Sequence, residues 1–324
     1  MIRTRVCDIL GIDHPILLGG MGSVYSPDLV GAVSNAGGLG ALGCHNLSVD
    51  QVHAAAGAIR QRTDRNFALN FLIFDIVEES FAAALEEAPP AMAFAWPRPD
   101  QDIAAYVRRA HDIGATVTFM AGGVPEARRA AAAGADVIIA QGTEGGGHVG
   151  WTATLALVPM VIDAVGPIPV VAAGGIADGR GLAAALALGA DGVLLGTRFL
   201  ASLESPLHPN FKQAIVDSDG HDTVLTEIPD ICQAKIWPGA MSRATRNRFI
   251  ERWAGREWAL RQNQVEALAA MREARVNGDI EEAPLSMGQD AGLIHDVLPA
   301  ADIVRRIAEE AEDILSARLP GLLS

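Results

Sequence analysis

The chain has 324 residues, half of them hydrophobic, and its formal net charge is -14. A protein this acidic lacks the basic surface that binds nucleic acids or anionic membranes, so its charge favours a small-molecule substrate. Apolar runs of roughly 18 residues and a signal peptide are both missing, and Cys7, Cys44 and Cys232 form no C-x-x-C pair, so we expect a soluble cytoplasmic protein without disulfides or a metal site.

Eight short apolar runs alternate with helical stretches and predict eight strands. They are PILLGG (15–20), LGALGC (39–44), FALNFLIF (67–74) and AMAFAW (91–96), and the ends of the segments 111–121, 131–142, 163–175 and 186–197. Gly114, Gly134, Gly166 and Gly189 precede the last four runs, where the end of a helix favours positive φ. Because the runs are continuously apolar, they suit strands covered on both faces. We predict an α/β fold, a (β/α)8 TIM barrel over residues 1–204, with an open doubly wound sheet as the alternative.

Residues 205–285 lack further buried strand runs and predict a mainly helical insertion before the last barrel helix. Trp237, Trp253 and Trp258 lie there, and arginines surround the last two. Such a segment either packs across the top of the barrel or against a second subunit, as in a homodimer, or forms a lid that excludes water. Residues 286–324 then predict a closing segment, MGQDAGLI, and the eighth barrel helix.

Glycines follow the seventh and eighth predicted strands, where barrels commonly bind phosphate through backbone N–H groups and a helix N-terminus. Gly174, Gly175 and Gly196 would let the backbone approach an anion closely, and Thr197 adds a hydroxyl. We therefore predict a ligand that carries phosphate. The alternative is that these glycines only make tight turns.

A single histidine, His148, lies in the glycine-rich loop AQGTEGGGHVGWT after the sixth predicted strand. Gly145, Gly146 and Gly147 would let this loop pass close to a ligand, and an imidazole is the commonest general acid or base. The alternative is a surface histidine with a structural hydrogen bond. At the end of the second strand, Cys44 and His45 could both face the mouth of the barrel, but we expect them to be packing and capping residues.

Several segments together resemble the nitronate monooxygenase family, formerly called 2-nitropropane dioxygenases. They are GGM near the first strand, NAGGLGALG, AQGTEGGGHVG, AAGGIADGRGLAAALALGADGVLLGTRFL and the late GQDAG. The resemblance implies a TIM barrel that binds FMN. It also implies kinship with NAD(P)H:quinone reductases and with the flavin-dependent type of enoyl-acyl-carrier-protein reductase.

The resemblance also assigns candidate roles to individual residues. His148 would be the catalytic base or proton donor over the flavin. The residues implied to bind FMN are Gly20, Met21 and Gly22 under the ring, Asn70 and Gln141 beside the ring or ribityl chain, Gly174, Gly175, Gly196 and Thr197 at the phosphate, and Gly288 and Gln289 in the closing segment.

The activity that the resemblance implies is oxidation of alkyl nitronates, with FMN as cofactor and O2 as the oxidant. An NAD(P)H-dependent flavin reductase of quinones or enoyl thioesters is the alternative within redox enzymes. Two further hypotheses stay open, a barrel enzyme that binds a phosphate ligand without flavin and a flavin-loaded binding protein without turnover.

Overall fold

The eight predicted strands pair side by side in the computed structural model, which describes residues 1–22 and 24–322. The strands are β1 (Ile16–Leu18), β2 (Gly40–Gly43), β3 (Phe67–Leu72), β4 (Ala91–Ala95), β5 (Thr116–Ala121), β6 (Val137–Gln141), β7 (Gly147–Val149), β8 (Val170–Ala173), β9 (Gly192–Leu195), β10 (Thr223–Thr226) and β11 (Met241–Thr245). The α-helices are α1 (Arg5–Leu10), α2 (Pro27–Asn35), α3 (Val49–Arg60), α4 (Glu78–Glu86), α5 (Ile103–Asp112), α6 (Val124–Ala132), α7 (Thr154–Val165), α8 (Gly179–Ala187), α9 (Thr197–Leu200), α10 (Pro209–Asp217), α11 (Ile228–Cys232), α12 (Arg248–Trp253), α13 (Glu257–Gln262), α14 (Gln264–Asn277) and α15 (Ala300–Asp313).

The larger sheet is parallel and closes on itself. Its strand order is β1-β9-β8-β6-β5-β4-β3-β2. The two edge strands meet where Leu18 N–H donates to Leu39 O at 2.9 Å and Leu39 N–H donates to Ile16 O at 3.0 Å. The predicted (β/α)8 barrel is therefore confirmed, and the open doubly wound sheet is excluded.

Four glycines end helices as the sequence predicts. Gly114, Gly134, Gly166 and Gly189 have φ of 79°, 95°, 66° and 94°. A side chain in this left-handed region is strained, and glycine adopts it freely, so each helix can stop and the chain can turn into the next strand.

The inside of the barrel is filled with small and branched apolar side chains. Ala41, Ala68, Val137 and Val171 belong to one buried cluster with Leu10 of α1. This helix therefore packs against the barrel interior, and its apolar residues help to fill it. The outer faces of the strands pack against the helices in a second, larger cluster.

The segment after α9 is mainly helical, but it also contains two strands that the sequence analysis did not foresee. β10 and β11 pair antiparallel, and β11 pairs in turn with β7 of the histidine loop. Both strands are only partly buried, so neither shows the continuous apolar run that marks the barrel strands. The pairing ties the insertion directly to the loop that carries His148.

The last long helix completes the outer ring of helices. α15 packs against α8 on one side and α2 on the other, which is where the eighth helix of a barrel belongs.

Cys7, Cys44 and Cys232 are all free and buried. None of the helices in the described part of the chain is both long and apolar enough to span a membrane.

Candidate functional site

A cavity of about 400 Å³ opens at the carboxyl ends of the barrel strands. Active sites of TIM barrels lie at this end, because the βα loops meet there. Most of the sequence-predicted site residues lie on its wall, namely Gly20, Met21, Gly22, Asn70, Gln141, His148, Gly174, Gly175, Gly196 and Thr197. The structure thus brings together residues from six different loops and strands.

Two amide side chains on the wall each have a buried oxygen without a partner. Asn70 donates from Nδ2 to Ala93 O at 3.2 Å, but no described residue hydrogen-bonds its Oδ1. Gln141 Oε1 is equally without a partner in the described part of the chain. An unpaired buried acceptor costs about 1–3 kcal/mol, so both oxygens suit a bound ligand that supplies donors. A flavin does so through its ring N–H and its ribityl hydroxyls.

The cavity wall also offers backbone donors after β8 and β9. Gly174 and Gly175 have φ of 92° and 74°, a conformation that turns the chain sharply after β8. The backbone N–H groups of Gly175, Gly196 and Thr197 donate to no acceptor among the described residues. Convergent free N–H groups form an anion site, so this side suits the phosphate of FMN.

The closing segment lines the cavity through other residues than the two that the sequence predicted. Gly288 and Gln289 do not line the wall, whereas Leu285, Ser286 and Asp290 do. Gly288 N–H donates to Thr197 Oγ1 at 2.9 Å, and Gln289 N–H donates to Glu144 O at 2.9 Å, with the Gln289 side chain exposed. These two residues contact the site from behind its wall, and Thr197 Oγ1 accepts the Gly288 bond while its O–H is the group that hydrogen-bonds Asp290.

Asp290 places a buried carboxyl on the cavity wall. Burial raises its pKa from 3.8 to about 7, and hydrogen bonds from its own backbone N–H and from Thr197 offset this effect only in part. The carboxyl is therefore largely protonated in the folded protein at mildly acidic pH. As a neutral acid it adds no negative charge to the anion site.

We expect Asp290→Asn to stabilise the flavin-free protein in a pH-dependent way. The raised pKa means that the folded state holds this proton more tightly than the unfolded state, so wild-type stability falls as the pH rises from about 4 to about 7. A shift of about three units corresponds to at most about 4 kcal/mol. Urea unfolding should show the variant more stable at pH 8 and nearly equal at pH 4.

Glu126→Gln is the matched control for this experiment. Burial also raises the pKa of Glu126 to about 7, but Glu126 does not line the cavity. Both variants should gain stability at alkaline pH, and only Asp290→Asn should also bind FMN more tightly there. A stability difference that is the same at both pH values would contradict the role of the Asp290 proton.

The loop that carries His148 is built as a strand rather than as an open surface loop. Gly147 has φ of 72°, and a Cβ on Gly146 would lie 2.5 Å from the backbone carbon of Met287. Glycine is therefore needed at position 146 so that the closing segment can pack against the loop. The sequence had suggested only that these glycines let the loop pass close to a ligand. Glu144 accepts hydrogen bonds from Thr154 N–H and Oγ1 at 2.9 Å, which holds the base of the loop.

His148 has two close partners, both from the insertion. Its Nε2 lies 2.9 Å from Asp230 Oδ1, and its ring stacks on the indole of Trp237 with 3.3 Å between centroids and 9° between planes. The His148 and Asp230 side chains are only 16% and 8% exposed. The imidazole is therefore fixed on the cavity wall, in contrast to the alternative of a histidine on an open surface loop.

Aromatic side chains surround Trp237 at the mouth of the cavity. Phe74 and Trp96 lie 4.7 Å and 6.2 Å from it between ring centroids. Lys235 Nζ lies 2.6 Å from Asp75 Oδ2, which links the same segment of the insertion to the loop after β3. Trp96 and Trp237 therefore form an apolar part of the cavity wall next to two polar pairs, His148 with Asp230 and Lys235 with Asp75.

The side chains of His45 and Cys44, at the end of β2, lie in different environments. His45 lines the cavity, and its Nδ1 is buried without a partner among the described residues. Burial, assisted by the charge of Lys235, lowers the pKa of His45 to about 4, so the ring is neutral at working pH. Cys44 turns into the core, where burial raises its pKa to about 12. Cys44 is therefore a packing residue, whereas His45 faces the cavity.

Sequence reasoning missed Asp230, Lys235 and Asp290 as site residues, and noted Trp237 only as part of the insertion. Asp230 and Lys235 lie in the insertion, away from the ends of the barrel strands where catalytic residues of a barrel are expected. No spacing in the sequence links Asp230 to His148. A weak signal was available for Asp290, which belongs to the late GQDAG segment.

Comparisons with known proteins identify the family of the chain. The model of the nitronate monooxygenase family matches residues 3–94 and 77–310. A 5-hydroxy-7a-methyl-1-oxo-octahydro-1H-indene-4-carboxyl-CoA dehydrogenase from Mycobacterium tuberculosis is 34% identical, over 96% of both chains.

Solved structures resemble the chain over almost its whole length. FabK from Thermotoga maritima is 38% identical with a TM-score of 0.89, over 99% of this chain and 100% of that one. A nitroalkane oxidase from Streptomyces ansochromogenes is 28% identical with a TM-score of 0.82, over 98% and 99%. The chain therefore belongs to the nitronate monooxygenase family and is a flavin-dependent oxidoreductase.

Proposed function

We propose that the protein binds FMN and uses it to oxidise or reduce a carbon next to the carbonyl of an acyl thioester. The observation that carries the proposal is the position of His148, which is held by Asp230 on the wall of a cavity that also offers an anion site. FMN would supply the two-electron redox chemistry when bound.

The residues of the cavity would hold the cofactor by its two ends. Gly175, Gly196 and Thr197 offer backbone N–H groups to the phosphate, and Gly20, Met21 and Gly22 provide a wall without large polar groups for the ring. Asn70 Oδ1 and Gln141 Oε1, which are buried without partners among the described residues, would accept hydrogen bonds from the ring or the ribityl chain. We propose no direct cofactor contact for Gly288 and Gln289, which brace Thr197 and the histidine loop instead.

His148 would transfer the proton that accompanies the redox step. A carbon next to a thioester carbonyl gains or loses a proton as its neighbour is reduced or oxidised, and an imidazole is suited to hold that proton near neutral pH. We propose that the insertion over residues 205–285 acts as a lid, since its Trp237 covers one face of the His148 imidazole and excludes water from that face.

The substrate class follows from the mouth of the cavity and from the relatives. Phe74, Trp96 and Trp237 form an apolar surface that suits an acyl group with a hydrocarbon body. The similar dehydrogenase acts on a carboxyl-CoA compound, and the similar FabK is an enoyl reductase.

Anaerobic flavin reduction tests the proposal. The purified protein should be yellow and release FMN on denaturation, NADH or NADPH should bleach it, and an enoyl thioester should restore the colour without O2. A saturated acyl-CoA that bleaches the flavin would support the same site working in the oxidative direction. A colourless protein that cannot be reconstituted with FMN would overturn the proposal in favour of a phosphate ligand without flavin.

Oxidation of alkyl nitronates with O2 is the second candidate. It is favoured by the match to the nitronate monooxygenase family and by the likeness to the nitroalkane oxidase. The same imidazole could deprotonate a nitroalkane at its α carbon. If propyl nitronate bleaches the flavin anaerobically while thioesters and nicotinamides do not, this candidate replaces the first.

A further inference from the structure

We propose that Asp230 is the positioning residue for His148, and that it leaves Nδ1 as the ring nitrogen that exchanges the proton. The inference rests on the proposed role of His148 in the reaction. It gives a function to one carboxylate of the insertion, and it identifies the ring atom that takes part in the proton transfer.

The hydrogen bond sets the protonation pattern of the ring. A carboxylate can only accept, so at 2.9 Å from Asp230 Oδ1 the Nε2 atom of His148 must carry the hydrogen. In the neutral ring, Nδ1 then holds the lone pair. No described residue hydrogen-bonds Nδ1 of His148, so this nitrogen is left for a ligand.

Stacking prevents the ring from turning over. A half-turn of the imidazole about its bond to Cβ would put Cε1 in the place of Nε2 and so break the hydrogen bond to Asp230, and this motion sweeps through the space occupied by the Trp237 indole 3.3 Å away. Trp237 is itself confined by Phe74 and Trp96. The hydrogen bond and the stack therefore select one ring orientation.

The same carboxylate lies beside the ring at the moment when the ring takes up a proton. Asp230 is 8% exposed and His148 is 16% exposed, so water screens their attraction weakly. When Nδ1 takes a proton, Asp230 lies beside the charge that forms. Orientation and charge stabilisation by a carboxylate are the same two contributions that acids make to histidines in hydrolytic triads.

The two partners belong to one short segment of the insertion. Asp230 lies in α11 and Trp237 follows it, while Lys235 between them pairs with Asp75 at 2.6 Å. The histidine comes from the barrel, and the groups that orient it come from the insertion. Proton transfer thus depends on this segment being in place.

Imidazole N–H signals test the pairing without any substrate. In the full-length protein labelled with ¹⁵N-histidine, His148 should give a downfield Nε2–H signal that is protected from exchange with water. His148→Asn identifies this signal by its loss, and Asp230→Ala should abolish it. The surface pair of His111 and Asp136, also 2.9 Å apart, is the internal reference and should not change.

Kinetics test the positioning role. With a substrate that reduces or reoxidises the flavin, Asp230→Asn should lower kcat by about 10- to 100-fold and change KM by less than about threefold, a smaller loss than removal of the imidazole itself. Asp230→Glu, which keeps the carboxylate, should recover part of kcat. A role confined to folding would lower thermal stability in both variants and leave kcat per folded, flavin-loaded molecule unchanged.

The outcomes separate this inference from the proposed function. A wild-type protein that turns over no thioester or nitronate would contradict the proposed function, while the Nε2–H signal would still decide whether Asp230 holds His148. If the signal and kcat both survive in Asp230→Ala, the positioning role is wrong and the proposed function stands. Asp230→Asn and Asp230→Glu serve as the test if the alanine variant does not fold.

Discussion

His148→Asn is expected to lower kcat by about 100- to 10,000-fold, the range over which a positioned general acid or base acts. Asparagine fills a similar space and keeps hydrogen bonding, but it cannot carry the proton at neutral pH. The FMN content of the purified variant should remain near that of the wild-type protein, because the cofactor contacts that we propose come from other residues. Rapid mixing under anaerobic conditions measures the loss directly.

His111→Asn is the matched control for that substitution. His111 also pairs with an aspartate, Asp136, at 2.9 Å, but it lies on the surface away from the cavity. Its variant should retain full turnover. Equal activity of His148→Asn and the wild-type protein would remove His148 from the reaction, whereas a complete loss of flavin would give it a structural role.

Gly174→Ala should weaken FMN binding by roughly 100-fold or more. Gly174 has φ of 92°, and a Cβ there would lie 2.8 Å from Gly142 O and 3.1 Å from Gly145 N. The backbone must shift to relieve these contacts, which displaces the neighbouring N–H group of Gly175. Hydrogen bonds to a charged group contribute about 1.5–3 kcal/mol each, and 1.4 kcal/mol is tenfold in affinity. Flavin fluorescence during titration of the stripped protein with FMN measures the change.

Gly114→Ala separates backbone strain from the loss of the phosphate contacts. Gly114 has φ of 79° with no atom within 4 Å of the added Cβ, and it ends a helix outside the cavity. Both alanine variants pay about 1–2 kcal/mol for the left-handed conformation, and both should lose some thermal stability. Only Gly174→Ala should lose FMN. Equal FMN affinity in the two would place the phosphate elsewhere.

Local sequence patterns were sufficient to predict the barrel, because each helix and strand of the barrel repeats the same two features. A helix that ends at glycine and a strand buried on both faces leave their marks within about ten neighbouring residues, as in the stretch around Gly134 and β6. The residues that we propose to bind phosphate were also suggested by local sequence, since Gly174, Gly175, Gly196 and Thr197 follow directly on two strands. The partly buried β10 and β11 left no such mark and were not foreseen.

The sequence by itself determined the order of the eight barrel strands, the glycine turns between them and the helices, and the histidine loop, because these depend on neighbours in the chain. Only the tertiary structure decided what His148 touches. Asp230 lies 82 residues further along and Trp237 later still, and the pairing of β11 with β7 is what brings the insertion over the loop. Such contacts depend on how distant elements pack, and no local period or spacing records them.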